Sequence, residues 1–153
     1  MTTATMSDRT VVRAAFLDAL ELMNGHPDVR EPEFQLATDF LSADQIQQAI
    51  AYCVLVGDED PEEPQKRVVG AVPYSLAVKI VIYARDEKDR HARLDGAIQD
   101  VWEWLRNGQR VHHVVPYLEY AGVQVMGEGT DGKSLAQAIM RWTAKGLRRS
   151  VSW

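Results

Sequence analysis

The chain has 153 residues, of which 46% are hydrophobic and 25% charged, a balance that suits one soluble domain with a sizeable core. Its net charge of −5 equals the five acids of one segment, Asp58-Glu59-Asp60-Pro61-Glu62-Glu63. The remainder is near neutral and offers no basic stripe for general nucleic-acid binding.

No apolar run approaches the ~20 residues that span a bilayer. Residues 1–8 are small and polar, without the apolar region of a secretory signal. Residues 1–9 read as a flexible arm, 10–147 as a single α+β domain, and 148–153 as a C-terminal tail.

A first helix is predicted over about 10–23. Val11, Val12, Ala15, Phe16, Ala19, Leu20 and Met23 recur on one face, with Ser7 or Thr10 as cap. Asn24-Gly25 and Pro27 end it. Residues 26–41 show no clear period. Ser42 and Gln45 form a capping-box pattern before a short helical stretch. The apolar run Ile50–Val56 reads as a buried strand, and its Cys53 as a small buried hydrophobe rather than a nucleophile. One cysteine allows no intramolecular disulfide, as fits a reducing cytoplasm.

The acidic segment 57–67 reads as a solvated loop. Tyr74, Leu76, Val78, Ile80 and Ile82 then alternate with Ser75, Ala77, Lys79, Val81 and Tyr83, predicting a strand paired antiparallel with 50–56. Pro73 marks an edge or bulge, since proline donates nothing to a ladder. A second helix is predicted over about 88–106, its stripe Leu94, Ile98, Val101, Trp102 and Leu105, stopped at Gly108. Strands at about 114–126 and 135–145 flank a Gly-rich turn, although 135–145 is ambiguous: Leu135, Ala138, Ile139 and Trp142 would also suit a helix, and the preceding strand and turn favour a strand. The expected fold is α+β: a four-stranded, mostly antiparallel sheet with two main helices packed on one face.

The Gly-rich turn, Gly127-Glu128-Gly129-Thr130-Asp131-Gly132-Lys133-Ser134, matches the pattern of a phosphate-binding P-loop. Such a loop opens an α/β nucleotide domain, and only nineteen residues follow Ser134. Glu128 and Asp131 would also bring carboxylates into an anion cradle. A tight solvated turn accounts for the same residues. His112 and His113 are adjacent, so on a strand they would point to opposite faces. No metal-ligand spacing, G-x-S-x-G elbow or paired-carboxylate arrangement stands out, and no catalytic residue, cofactor or metal is expected. Trp102, Trp104 and Trp142 suit a core or its margin. Arg141, Arg148, Arg149 and Trp153, with Asp58, Glu59, Asp60, Glu62 and Glu63, are the candidate protein contacts, because Arg and aromatics favour interfaces and acids meet basic partners, and the sheet edges are expected to be contacts as well.

This order of elements resembles the tail terminator proteins of long-tailed bacteriophages, of the lambda type. The first helix (Val12-Arg13-Ala14-Ala15-Phe16-Leu17-Asp18-Ala19-Leu20), the strand entering the acidic stretch, and the helix ending Trp102-Glu103-Trp104-Leu105 carry the resemblance. It implies a non-enzymatic virion protein, made in the host cytoplasm. It implies a homo-hexameric ring at the head-proximal end of the tail, which caps the tail tube, stops its polymerisation and offers a head-joining surface. Its partners would be the tube protein and a neck or connector protein. Another neck, head-completion or tube protein is the alternative. A small nucleotide-binding enzyme using 127–134 is a further one.

Overall fold

The computed structural model describes residues 8–61, 71–85, 88–126 and 135–150. In chain order these form α1 (Asp8–Glu21), β1 (Gln35–Ala37), a single 3-10 turn (Ala43–Gln45), β2 (Ile50–Pro61), β3 (Ala71–Ala84), α2 (Arg90–Leu105), β4 (Tyr117–Met126) and β5 (Ala136–Ser150). The strands make one five-stranded sheet in the order β1-β2-β3-β5-β4.

That arrangement is α+β, but it corrects the four-stranded, mostly antiparallel expectation. β1 is a fifth strand and runs parallel to β2, pairing Gln35 with Ala51 and Ala37 with Cys53, so the sheet is mixed. Three half-buried residues are too few to display a period of two, which is why 26–41 looks featureless as sequence.

The predicted hairpin is present: β2 and β3 pair antiparallel from Ile50↔Ala84 to Pro61↔Tyr74. β2, however, runs on through Asp58, Glu59 and Asp60, past a register shift between Val56 and Glu59. Those acids therefore belong to a strand rather than a loop. Pro73 lies one residue beyond the last β2 partner and is opposed by Arg148 of β5.

The alternation in β3 sorts its side chains as expected. Tyr74, Leu76, Val78, Ile80 and Ile82 face the helices and join the main core with Phe16, Leu20, Leu94, Val101, Leu105, Met140 and Trp142. Burying each such side chain contributes ~1.5–3 kcal/mol. The two helices are tied directly: Trp104 Nε1 donates to the Ala19 carbonyl at 2.7 Å.

The opposite face is not bare. Ile46, Ala51, Cys53, Val81 and Tyr83 form a second cluster, with Leu41, Leu135 and Ile139 packed against it. The segment around the 3-10 turn covers one end of this face, and the Gln45 side chain accepts the Ser42 N–H at 2.9 Å. The Tyr83 hydroxyl accepts the Leu41 N–H at 3.2 Å. The ambiguous stretch 135–145 is a strand, and β5 continues to Ser150.

Candidate protein-protein interface

β4 closes one edge of the sheet and pairs only with β5 among the described strands. All but two of its ten residues are exposed. Leu118, Tyr120, Val123 and Val125 are opposed by Ala144, Trp142, Met140 and Ala138, so they share the helix-covered face. Their partners on β5 are fully buried, yet Val125 is 57% and Val123 38% exposed. The cause is lateral: α2 packs over β3 and β5 and makes no comparable contact with β4. On the other face Tyr117 is 71% and Met126 40% exposed.

An edge strand normally carries charge to deter pairing with other chains. β4 carries one, Glu119, and the Lys145 ammonium of β5 meets it at 2.5 Å. Residues 122–126 read Gly-Val-Gln-Val-Met, without a charge. Contiguous exposed apolar surface of this kind marks an interaction site.

The sequence-predicted contacts lie in three places. Asp58, Glu59 and Asp60 are exposed at the far end of β2. Arg141 sits on β5, half-buried on the outer face, opposed by Lys79 of β3 and Gly122 of β4. Its Nη2 donates to Gln124 Oε1 at 3.3 Å, so the guanidinium reaches over the β4 edge. Arg148 is exposed beside a cleft of about 470 Å³ lined by Asp8, Val12, Tyr74, His113 and Pro116. The Tyr74 hydroxyl donates to Asp8 Oδ2 at the same place, at 2.5 Å. Arg149 is opposed by Val72 in the β3–β5 register. Glu62, Glu63 and Trp153 lie outside the described residues. The structure thus brings Arg141 to the β4 edge and leaves Asp58–Asp60 at the opposite side of the same sheet.

The expectation of contacts at the sheet edges did not single out β4 or its exposed apolar residues. Its apolar residues look like any half-buried strand. Their exposure comes from where α2 lies, which no local pattern encodes.

The groups considered for chemistry are dispersed. Cys53 is buried, and burial pushes its thiol above the ordinary range, the reverse of what a nucleophile needs. His112 and His113 are exposed in a turn before β4 rather than on a strand. His26 packs edge-on against Trp104, with 5.0 Å between centroids. Trp142 and Trp104 are buried and Trp102 half-buried. Among the described residues, no His, Cys, Asp and Glu group could hold a metal, and no helix is long and apolar enough to cross a membrane.

The stretch 127–134 lies outside the described residues, but its flanks are informative. It joins β4 to β5, which are antiparallel neighbours with Met126 opposite Gln137. A P-loop must instead deliver the chain from a strand into a helix whose N-terminus faces phosphate. Strand begins at Ala136, two residues after Ser134.

No family model matches the chain, and no curated protein sequence matches it. Among solved structures it is similar to the sheath/tube terminator of an extracellular contractile injection system, PVC, in the extended state, at 11% identity and a TM-score of 0.44. The match covers 100% of this chain and 59% of that one, so the chain spans about three fifths of its neighbour's length.

Proposed function

We propose that the protein is a structural, non-enzymatic component of a phage-type tail, a ring-forming terminator that caps the tail tube and stops its growth. The exposed edge of β4 carries this reading. A ten-residue strand with apolar side chains on both faces and one neutralised charge is suited to a neighbouring protein chain, not to a small substrate. The resemblance of the chain's element order to tail terminators supplies the kind of assembly. The tube protein and a neck protein are the proposed partners, at the head-proximal end of the tail. A ring closed by a heterologous interface consumes such an edge in every subunit, so its own lateral association ends at closure.

The same edge would also serve a tube subunit, which adds copies without closing. Light scattering over a wide concentration range, with negative-stain imaging of the heaviest fraction, separates the two. Closed rings without tubes are the expected result. Long open tubes would assign the chain to the tube instead, and a monomer at every concentration, also in the presence of tube ends, would end the ring reading.

A further inference from the structure

We infer that the β4 edge is completed by the acidic end of β2 from a second copy, with Asp60 of that copy facing Arg141 across Gly122. This rests on the ring reading and names its subunit contact.

Strand direction is the first argument. β2, β3, β5 and β4 are successive antiparallel neighbours, so β2 and β4 run in opposite directions. A copy displaced sideways along the sheet therefore presents β2 antiparallel to β4, continuing the pattern of the existing pairs. The contact is head-to-tail, as a ring requires.

Register is the second. In line across the sheet, Tyr120 stands level with Val56 through Trp142 and Val78. A neighbour added at that level would be blocked, because β1 covers Ala51–Cys53 and the Arg9 guanidinium occupies the Val56 carbonyl at 2.8 Å. The outer edge of β2 carries neither obstacle from Gly57 onward. Sliding the neighbour by about six residues, ~20 Å at strand rise, sets Asp60 opposite Gly122 and Asp58 opposite Gln124. The four strands from β2 to β4 are ~19 Å wide at ordinary strand spacing. That stagger corresponds to a strand tilt of about 45°, at the upper end of the range found in closed sheets.

Charge is the third. Lys79 and Arg141 are directly opposed on the outer face, and like charges so placed repel. Among the described residues neither forms an ion pair with an acid. Gly122, next in that row, has nothing within 4 Å of where a Cβ would stand. An Asp on the adjoining strand would find the guanidinium already extended toward it, by way of Gln124.

The test uses two single variants of the full chain, Asp58→Cys and Gln124→Cys, with wild type as control for the buried Cys53. Oxidation of the equimolar mixture should give a covalent dimer that neither variant gives alone. Self-crosslinking of Gln124→Cys would overturn the contact in favour of a β4–β4 pair. Rings by negative stain without the mixed disulfide would overturn the contact and leave the ring standing. No assembly of wild type and no mixed disulfide would overturn both. As a second measurement, Arg141→Glu should raise the concentration for half-assembly about tenfold or more. Arg141→Glu with Asp60→Arg should restore it, and no rescue would count against the pairing.

Discussion

The Asp100 carboxylate of α2 accepts the Arg30 backbone N–H through both oxygens, at 2.9 and 3.0 Å. It also takes the Glu31 N–H at 2.9 Å and Arg30 Nη1 at 3.2 Å. Asp100 is 2% exposed, the one buried charged residue among those described. It pins the irregular stretch after α1 to the outside of α2. Asp100→Ala would leave two backbone donors unmet and is expected to cost about 3 kcal/mol. Asp100→Asn keeps one acceptor and turns an NH₂ toward donors, so it should cost nearly as much. Urea unfolding at neutral pH measures both, and a loss below about 1 kcal/mol for Ala would remove Asp100 from this role.

The sequence made the helices and four strands legible because each carries a period long enough to repeat. Val12 to Leu20 and Leu94 to Leu105 mark stripes, and Tyr74 to Ile82 marks alternation. β1 was illegible because three residues define no period, and β2 looked too short because its acids resemble a loop. Asp58–Asp60 are in a strand since β3 offers Leu76 and Ser75 as partners, which is tertiary information. The candidate contacts Arg141 and Asp58–Asp60 were readable as residue types. Their placement on one sheet, and the exposure of Tyr117 to Met126, depend on strand order and on where α2 lies.

Alkaline pH should destabilise the fold. Burial, above all, raises the Cys53 thiol and the Tyr52 phenol, and lifts Tyr83 to about 12. The unfolded groups ionise near their ordinary values of roughly 8.5 for Cys and 10 for Tyr, while the folded ones keep their protons. Stability contributed this way is complete below about pH 8 and falls as pH rises toward the folded values. Chemical unfolding at pH 7, 9 and 10.5 should show a loss at each step, and Cys53→Ala should flatten the first. On the acid side the Arg30 hydrogen bond holds Glu103 below the usual carboxylate range, so its small contribution is present at neutral pH and fades as pH falls.

Gly146 and Gly25 have nearly equal positive φ, 78° and 74°, but unlike surroundings. A Cβ at Gly146 would lie 3.1 Å from both the Pro116 and Tyr117 side chains, and at Gly25 it would meet nothing within 4 Å. Gly25→Ala therefore carries the backbone strain alone, about 1 kcal/mol. Gly146→Ala adds a clash at the joint between β4 and β5, and should cost about 2–3 kcal/mol. Equal losses in thermal unfolding would show that the β4 approach yields freely.

Lys133→Ala should leave the protein unchanged toward nucleotides, because 127–134 connects two antiparallel strands and not a strand to a helix. A ligand that binds only the folded state must raise its melting temperature. Neither wild type nor variant is expected to shift with millimolar ATP or GTP and Mg²⁺. A shift in wild type that Lys133→Ala abolishes would revive a nucleotide-binding role.

Val123 and Val125 offer the sharpest separation of folding from association. Both are opposed by buried partners, Met140 and Ala138, yet both are themselves exposed. Replacing both by Glu leaves the main core intact and sets like charge against the acids Asp58–Asp60 that the inferred contact lays along this edge. Surface changes of this kind move stability by about 0.5 kcal/mol or less each. Like charges directly opposite on adjoining strands oppose pairing. The double variant should therefore unfold almost as wild type does while losing whatever assembly wild type shows at the same concentration. If it assembles normally, β4 is not the contact, and the association surface must be sought at the Arg148 cleft or the outer face of the sheet.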